Sequence, residues 1–151
     1  MANELKGNAP LVQVEHLKKY FQVGRGKVLH AVDDVTFSIP KGTTLGLVGE
    51  SGCGKTTVGR TLVGLYQPDG GKITFDGQDI THLKGKEKRA ITRRMQMVYQ
   101  DPYASLNPFF TVGEIITEGL EIHNIGESKK ERMEIAYDLL NRVGLHREHA
   151  N

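Results

Sequence analysis

The octapeptide Gly49-Glu-Ser-Gly-Cys-Gly-Lys-Thr56 carries the strongest structural signal in this chain of 151 residues. Its glycines allow the backbone to curl, so that successive amides point inward and can surround the oxygens of a phosphate group. The apolar run 43–48 before it predicts a short buried strand, and the helical spacing of apolar residues after it predicts a helix from Lys55 to about Leu65. A strand, a glycine-rich turn and a helix in this order predict a phosphate-binding loop.

The polar side chains of this loop have expected roles in holding a nucleoside triphosphate. Lys55 is predicted to reach the β- and γ-phosphates, the hydroxyl of Thr56 to ligate Mg²⁺, and Thr57 to add one more hydrogen bond. Two interpretations stay open for Cys53, which is either a small residue at a variable position or a thiol made reactive by Lys55 and the helix N-terminus. The predicted nucleotide-binding residues of the loop are Gly49, Ser51, Gly52, Cys53, Gly54, Lys55, Thr56 and Thr57.

Patterns on both sides of the loop predict an α/β fold. Alternating or short apolar runs predict strands at 11–15, 35–39, 73–75, 78–80 and 95–99. A helix is predicted at 84–94, and two capping boxes, Thr111 with Glu114 and Ser128 with Glu131, predict the start of two more helices. Strands therefore come first and helices last, which indicates an α/β core with an antiparallel flap and the beginning of a helical arm.

Composition and charge exclude several other classes of protein. The net charge of +2 is too small to indicate a nucleic-acid partner, so the basic stretch 84–94 is interpreted as a solvated helix face. The single cysteine excludes an internal disulfide, and His146 and His149 lack the companions of a metal site. No apolar run approaches the roughly 20 residues that cross a bilayer, and residues 1–10 lack the apolar core of a signal peptide. Work at a membrane would therefore require docking on a membrane partner.

Two further segments, Val98-Tyr-Gln-Asp-Pro102 and Tyr103-Ala-Ser-Leu-Asn-Pro108, narrow the interpretation. Together with residues 49–57 they resemble the ATP-binding subunits of ABC transporters, specifically those of bacterial and archaeal oligopeptide and dipeptide importers. The resemblance implies a P-loop NTPase (RecA-like) core with an antiparallel β-subdomain and the start of the ABC helical subdomain, truncated. The implied parts of this single nucleotide-binding domain, 1–151, are strands plus phosphate loop at 11–80, a helix leading to the Q-loop at 81–110, and the start of the helical subdomain at 111–151.

The resemblance also implies three roles outside the phosphate loop. Gln100 matches the catalytic Q-loop glutamine, whose side-chain oxygen can meet Mg²⁺ and the attacking water. Tyr20 matches the aromatic residue that stacks on adenine, with the adjacent Phe21 as a competitor for that role. The segment 101–112 resembles the surface that receives a coupling helix of the membrane subunit. Many relatives have a basic residue where Phe109 stands, which leaves the membrane partner open.

The function implied by the resemblance is Mg-ATP binding and hydrolysis that energises import of oligopeptides or dipeptides. The expected partners are a second ABC ATPase subunit, in a homo- or heterodimer, and transmembrane permease subunits. No nucleic acid and no direct membrane insertion are expected, and the location is cytoplasmic, peripheral on the inner face of the cell membrane. The 151 residues lack the family's acidic motif, switch histidine and Ser-Gly-Gly signature. The signature is excluded because Ser51, inside the phosphate loop, is the only serine that precedes a glycine. This chain alone is therefore expected to be hydrolytically inactive or nearly so.

Three alternatives stay open beside this interpretation. The chain is a non-catalytic nucleotide-binding fragment, or it serves an ABC importer of another solute such as nickel. A soluble ABC ATPase of DNA repair or translation is the third, and the run Ser105-Leu-Asn-Pro108 and the lack of a basic surface argue against it.

Overall fold

The structure, a computed structural model, describes residues 9–101 and 106–151. These residues form two compact units, which divide between Met97 and Val98. That division falls inside the segment 81–110 of the sequence-based domain outline. Part of the motif that carries the family resemblance, 102–105, lies outside the described residues.

The first unit is built on a four-stranded antiparallel sheet with the strand order β2-β1-β3-β4. The strands are β1 at Val12–Gln22, β2 at Val28–Ile39, β3 at Gly70–Phe75 and β4 at Gln78–Asp79. The central strand β1 pairs with β2 on one side, where Val14 lies opposite Phe37, and with β3 on the other, where it lies opposite Ile73. The predicted antiparallel flap is confirmed.

Strands β1 and β2 are longer than the predicted segments 11–15 and 35–39 because both continue through bulges. The pairing of β1 with β2 shifts register between Val14 and Leu17. His16 and Asp34 have φ values of 51° and 58°, in the left-handed region. The bulge interrupts the period-2 alternation, so the sequence pattern ends there although the strand does not.

Helix α1 spans Lys55–Leu62 and packs on the sheet through Val58. The buried core around it consists of Val12, Val14, Leu17, Val32, Ile73 and Phe75. The helix ends three residues before the predicted Leu65 because Gly64, at φ 74°, turns the chain. The amide of Leu65 then donates to the carbonyl of Arg60 at 2.8 Å, which closes the helix end.

Helix α2 spans Gly85–Arg94, in agreement with the prediction for 84–94. None of its residues is buried, although Ile91 packs against the edge of the core. The guanidinium of Arg94 pairs with the carboxylate of Asp76 at the β3–β4 turn. The basic residues of this helix therefore form a solvated face, as the sequence indicated.

Two of the predicted strands are not formed. Residues 43–48 and 95–99 have no regular strand structure, and among the described residues neither segment has a pairing partner. Several of their apolar side chains are exposed as a result, with Val48 and Val98 at 93% and 94%, whereas Met95 packs against the core. A strand of a parallel sheet is stabilised by ladder hydrogen bonds and by burial on both faces, and short apolar runs do not reveal whether those partners are present.

The second unit contains helix α3 at Val112–Ile122, helix α4 at Lys129–Arg142 and a short 3-10 helix at Arg147–Ala150. The capping box at the start of α3 is confirmed. The amide of Glu114 donates to Thr111 Oγ1 at 3.2 Å, and the amide of Thr111 donates to the Glu114 carboxylate at 2.9 Å. These two bonds satisfy amides that the first turn of a helix leaves without partners.

Only half of the predicted capping box at the start of α4 is formed. The amide of Glu131 donates to Ser128 Oγ at 3.1 Å. The Glu131 carboxylate accepts instead from the amide of Glu127 at 2.7 Å, one residue before the expected donor. The helix nevertheless starts where the sequence predicts, because the serine bond alone satisfies one first-turn amide.

Helices α3 and α4 pack around Ala136 and Leu140, which are 0% and 1% exposed. Gly113 permits the close approach of the last residues, since a Cβ there would lie 3.1 Å from the carbonyl oxygen of Ala150. Burial at the end of α4 is incomplete, because Val143, directly after the helix, is 71% exposed.

Candidate functional site

The glycine-rich loop curls back on itself before it enters α1. Gly52 and Gly54 have φ values of 83° and 95°, which L side chains rarely adopt. The amide of Cys53 donates to the carbonyl of Glu50 at 3.4 Å, and Gly54 is the N-cap of the helix. Residues 49–54 therefore form a curved loop that leads directly into the first turn of α1.

Close contacts surround two of the pattern glycines, and at Gly54 the contact leaves no room for a side chain. A Cβ on Gly54 would lie 2.2 Å from the carbonyl oxygen of Ala31 in β2, which is far inside van der Waals contact. A Cβ on Gly49 would lie 2.6 Å from the Sγ atom of Cys53 and would displace that side chain. The loop is thus fixed against β2 at one end and closed on itself at the other.

The ammonium group of Lys55 lies inside this curve. Its Nζ atom donates to the carbonyl oxygens of Gly49 at 2.8 Å and Glu50 at 2.6 Å, and it lies 3.5 Å from Cys53 Sγ. These acceptors are neutral, so an anion entering the loop would offer the ammonium a stronger, charge-assisted partner.

The first turn of α1 adds unpaired donors beside this charge. The first intrahelical bond runs from the amide of Val58 to the carbonyl of Gly54 at 2.9 Å. The amides of Lys55, Thr56 and Thr57 therefore have no acceptor within the helix. Amides at a helix N-terminus, together with the positive end of the helix dipole, favour a bound anion.

A cavity of about 310 Å³ lies against the loop. Its lining consists of Phe21, Leu29, His30, Ala31 and the loop and helix residues 52–57. One part of the lining comes from the loop and the first turn of α1, which bring a lysine, two threonines and helix amides, whereas the part from β1 and β2 is mostly aromatic and apolar. Volumes of this size hold small-molecule ligands. The cavity therefore suits a ligand that is anionic at one end and flat or apolar at the other.

Most of the predicted loop residues lie in this lining. Gly52, Cys53, Gly54, Lys55, Thr56 and Thr57 all contribute to it. Gly49 lies behind the lysine as its acceptor, and Ser51 is exposed outside the lining.

The structure places Tyr20 outside the cavity lining and its neighbour Phe21 inside it. The hydroxyl of Tyr20 donates to Asp33 Oδ1 at 2.6 Å, and its ring stacks on that of His30 with centroids 4.1 Å apart. Successive residues of a strand point to opposite faces, so only one of the two rings can face the cavity. The sequence offered Tyr20, and Phe21 beside it, for stacking on adenine. Phe21 is the one of the two that lines the cavity next to the loop.

Carboxylates anchor the end of β1 that carries these rings. The hydrogen bond to Asp33 raises the pKa of Tyr20 to about 12, and the same bond lowers the pKa of Asp33. Asp69 accepts from the amide of Tyr20 at 2.6 Å and from Lys19 Nζ at 2.9 Å. Those hydrogen bonds hold the pKa of Asp69 below its ordinary value, and the bond from the backbone amide of Tyr20 has the largest effect. The backbone that positions Phe21 is therefore tied to the β3 end of the sheet.

Gln100 belongs to the second unit, in which it is exposed, whereas the phosphate loop belongs to the first. Its role as a ligand of Mg²⁺ and of the attacking water stays a prediction. Among the described residues, no group of three or more His, Cys, Asp or Glu side chains is arranged to hold a metal ion.

Sequence reasoning missed the cavity residues contributed by β2, which are Leu29, His30 and Ala31. The sequence predicted no strand between residues 15 and 35, and no motif marks these positions. The one usable signal is Gly54, because a glycine at a helix N-cap indicates close approach by another backbone.

None of the described helices is long and apolar enough to cross a membrane.

Comparison with known proteins gives consistent matches over most of the chain. A profile of the ABC transporter family matches residues 32–151. The oligopeptide transport ATP-binding proteins OppF and AppF of Bacillus subtilis (strain 168) are 52% and 48% identical to the chain over 142 and 143 residues. The alignments cover 93% and 90% of this chain but 46% and 43% of those proteins. The chain thus spans about half the length of these relatives.

A solved structure agrees with the fold. It is the dimeric, post-hydrolysis state of the ATP-binding cassette MJ0796 bound to ADP and Pi. Its sequence is 25% identical to that of this chain, and the two structures superpose with a TM-score of 0.76. The match covers 93% of this chain and 60% of the cassette.

Proposed function

This chain belongs to the ABC transporter family, and on that premise we propose that it binds the phosphates of Mg-ATP on residues 49–57. The observation that carries the proposal is that one cavity is lined by Lys55, Thr56 and Thr57, which bring an ammonium group, two hydroxyls and three first-turn amides. Each of these groups is a donor or a cation, and together they suit a polyphosphate.

The residues present fit the nucleotide and its metal. The contact between Gly54 and Ala31 leaves no room for a side chain and holds the loop backbone against β2. Thr56 would supply an oxygen ligand to Mg²⁺, a cation that prefers such ligands, and Gln100 keeps its predicted role as a further oxygen ligand. Bound there, Mg²⁺ would neutralise charge on the β- and γ-phosphates. We assign the base to the aromatic part of the lining, with Phe21 in the stacking role first considered for Tyr20.

The complete subunit is proposed to hydrolyse ATP and to energise import of oligopeptides or dipeptides. The names of OppF and AppF, oligopeptide transport ATP-binding proteins, support this substrate class. The dimeric state of MJ0796 supports pairing with a second ATPase subunit.

A transmembrane permease is the other proposed partner, and it would hold the chain at the cytoplasmic face of the membrane. The exposed apolar side chains before and at the start of α3 support a docking surface in that region. Phe109 is 91% exposed, and Phe110 and Val112 are 46% and 41% exposed.

Binding of Mg-ATP to purified chain tests the proposal. We expect Lys55→Ala to weaken Mg-ATP binding by at least about tenfold, because it removes the charge at the centre of the loop. Lys41→Ala is the matched control, since Lys41 is a lysine of the same unit that is 73% exposed and lies outside the cavity lining. Equal affinities of the two variants would contradict the proposal.

A turnover assay separates binding from catalysis. The 151 residues are expected to bind Mg-ATP without measurable phosphate release, because the family's acidic motif, switch histidine and signature are absent from them. Phosphate release above the Lys55→Ala background would contradict that expectation.

A further inference from the structure

The ring of Phe21, which lines the cavity near the end of β1, is in contact with a second aromatic ring from outside the cavity. The rings of Phe21 and Tyr66 meet edge to face, with their centroids 5.2 Å apart and an interplanar angle of 79°. Tyr66 is half-buried and is not among the residues that line the cavity. Because aromatic pairs prefer such perpendicular contacts, Tyr66 limits how far the Phe21 ring can tilt.

Tyr66 is itself attached to helix α1. Gly64, at φ 74°, turns the chain after the helix, and the amide of Tyr66 then donates to the carbonyl of Arg60 at 3.3 Å. Nη1 of Arg60 donates to the hydroxyl of Tyr66 at 3.0 Å. Both bonds are with one residue in the last turn of α1, so they fix the backbone and the hydroxyl end of Tyr66 against the helix. Helix α1 therefore contributes to both parts of the cavity, because its first turn lines the cavity directly and its last turn holds Tyr66 against Phe21.

We propose that Tyr66 is a positioning residue for the nucleobase, which acts through Phe21, and that Arg60 holds Tyr66 in place. The inference rests on the proposed function, because it takes Phe21 to be the ring that stacks on the base. Stacking requires the ring and the base to be parallel, so a ring that is already fixed loses less freedom when the base binds. Tyr66 thus fixes the ring of Phe21 before the nucleotide arrives.

The second unit provides a matched tyrosine as a control. Tyr137 in α4 is half-buried like Tyr66, and the guanidinium of Arg147 lies 4.2 Å from the centroid of its ring. It is not among the residues that line the cavity. A tyrosine that serves only the packing of the fold should therefore behave like Tyr137. Leucine suits both positions as a substitute, since it keeps an apolar side chain and removes the ring.

The test is calorimetric titration of the full chain with two ligands, Mg-ATP and magnesium triphosphate, the second of which lacks a base. We expect Tyr66→Leu to weaken Mg-ATP binding about two- to tenfold, the size of one edge-to-face ring contact, and to leave triphosphate binding unchanged. Tyr66→Phe, which keeps the ring, should bind Mg-ATP more tightly than Tyr66→Leu, and Tyr137→Leu should change neither affinity. An unchanged Mg-ATP affinity in Tyr66→Leu, or equal losses for both ligands, would overturn the inference.

A double-mutant cycle with Phe21→Leu shows whether Tyr66 acts through Phe21. Phe21→Leu should weaken Mg-ATP binding more than Tyr66→Leu does, because in the latter the ring remains and the ammonium of Lys19 still lies near it, 5.3 Å from the ring centroid. In the Phe21→Leu background, Tyr66→Leu should cause no further loss, and additive losses would refute a role through Phe21. If Phe21→Leu leaves Mg-ATP binding unchanged, the assignment of the base fails and this inference fails with it, whereas triphosphate binding still supports the loop. If wild-type chain binds neither ligand, the proposed function itself fails.

Proton NMR of wild-type chain provides a test that needs no variant to fold. In the complex with Mg-ATP, the ring protons of Tyr66 and Phe21 should show nuclear Overhauser effects to each other, since the contact persists while the base is stacked. Loss of these effects when Mg-ATP binds would contradict the positioning role.

Discussion

Replacement of Gly54 by alanine separates two reasons why the loop needs glycine. Gly54 has a φ of 95°, and a Cβ on it would lie 2.2 Å from the carbonyl oxygen of Ala31. Gly52 has a similar φ of 83°, but a Cβ there would meet no atom within 4 Å. The variants Gly54→Ala and Gly52→Ala therefore share the cost of an unfavourable φ and differ in the contact.

The expected magnitudes follow from these two geometries. Alanine in the left-handed region costs about 1–2 kcal/mol, which is the whole loss expected for Gly52→Ala. Gly54→Ala adds a contact with backbone, which no side-chain rotation can relieve. Overpacking of this kind costs about 1–3 kcal/mol more, so the total for Gly54→Ala is about 2–5 kcal/mol. A substantial part of the stability of a small domain is then lost.

Urea unfolding without nucleotide measures both losses under the same conditions. We expect the free energy of unfolding to fall by about 1–3 kcal/mol more in Gly54→Ala than in Gly52→Ala. Equal losses would refute the close approach of the loop to β2, and with it the positions of His30 and Ala31 in the cavity lining.

Two further predictions concern other parts of the chain. Leu140→Ala should destabilise the second unit by about 2–5 kcal/mol, because Leu140 is 1% exposed and its removal leaves a cavity. Amide hydrogen exchange of α3 and α4 should become faster, and unchanged exchange would contradict the packing of these helices around Leu140. The lowered pKa of Asp69 stabilises the fold above the ordinary carboxyl pKa of 3.8, and that stabilisation is lost as the pH falls through the folded-state pKa. The urea midpoint of wild type should therefore fall more steeply below about pH 5 than that of Asp69→Asn, and parallel curves would contradict the bond from the Tyr20 amide.

Elements encoded by neighbouring residues could be predicted from the sequence. The start of α1 follows from the glycines before Lys55, and the start of α3 follows from the capping box of Thr111 and Glu114. These signals depend on contacts within a few residues, so they are present in the sequence itself. The strands predicted at 43–48 and 95–99 depend on distant pairing partners, and the described residues do not provide them.

The phosphate end of the candidate site could be predicted, but its aromatic end could not. Val12 and Val14 are buried at even positions, whereas after the bulge at His16 the buried residue is Leu17, at an odd position. The odd positions that follow share its face, which places Phe21 and not Tyr20 toward the cavity. A single bulge residue thus reverses the orientation of every later side chain, and the alternation in the sequence does not reveal it.

The most direct test of phosphate binding by the loop is a titration of isotope-labelled chain with Mg-ATP, followed by the backbone amide NMR signals. We predict that the largest shifts occur at residues 52–57, because amides of the loop and the unpaired amides of the first turn of α1 donate to the phosphates. Magnesium triphosphate should shift the same amides, and Lys55→Ala should reduce the response at an equal, sub-saturating ligand concentration, in line with its loss of affinity of at least about tenfold. Shifts spread evenly over the chain, or confined to residues outside 49–57, would contradict the account.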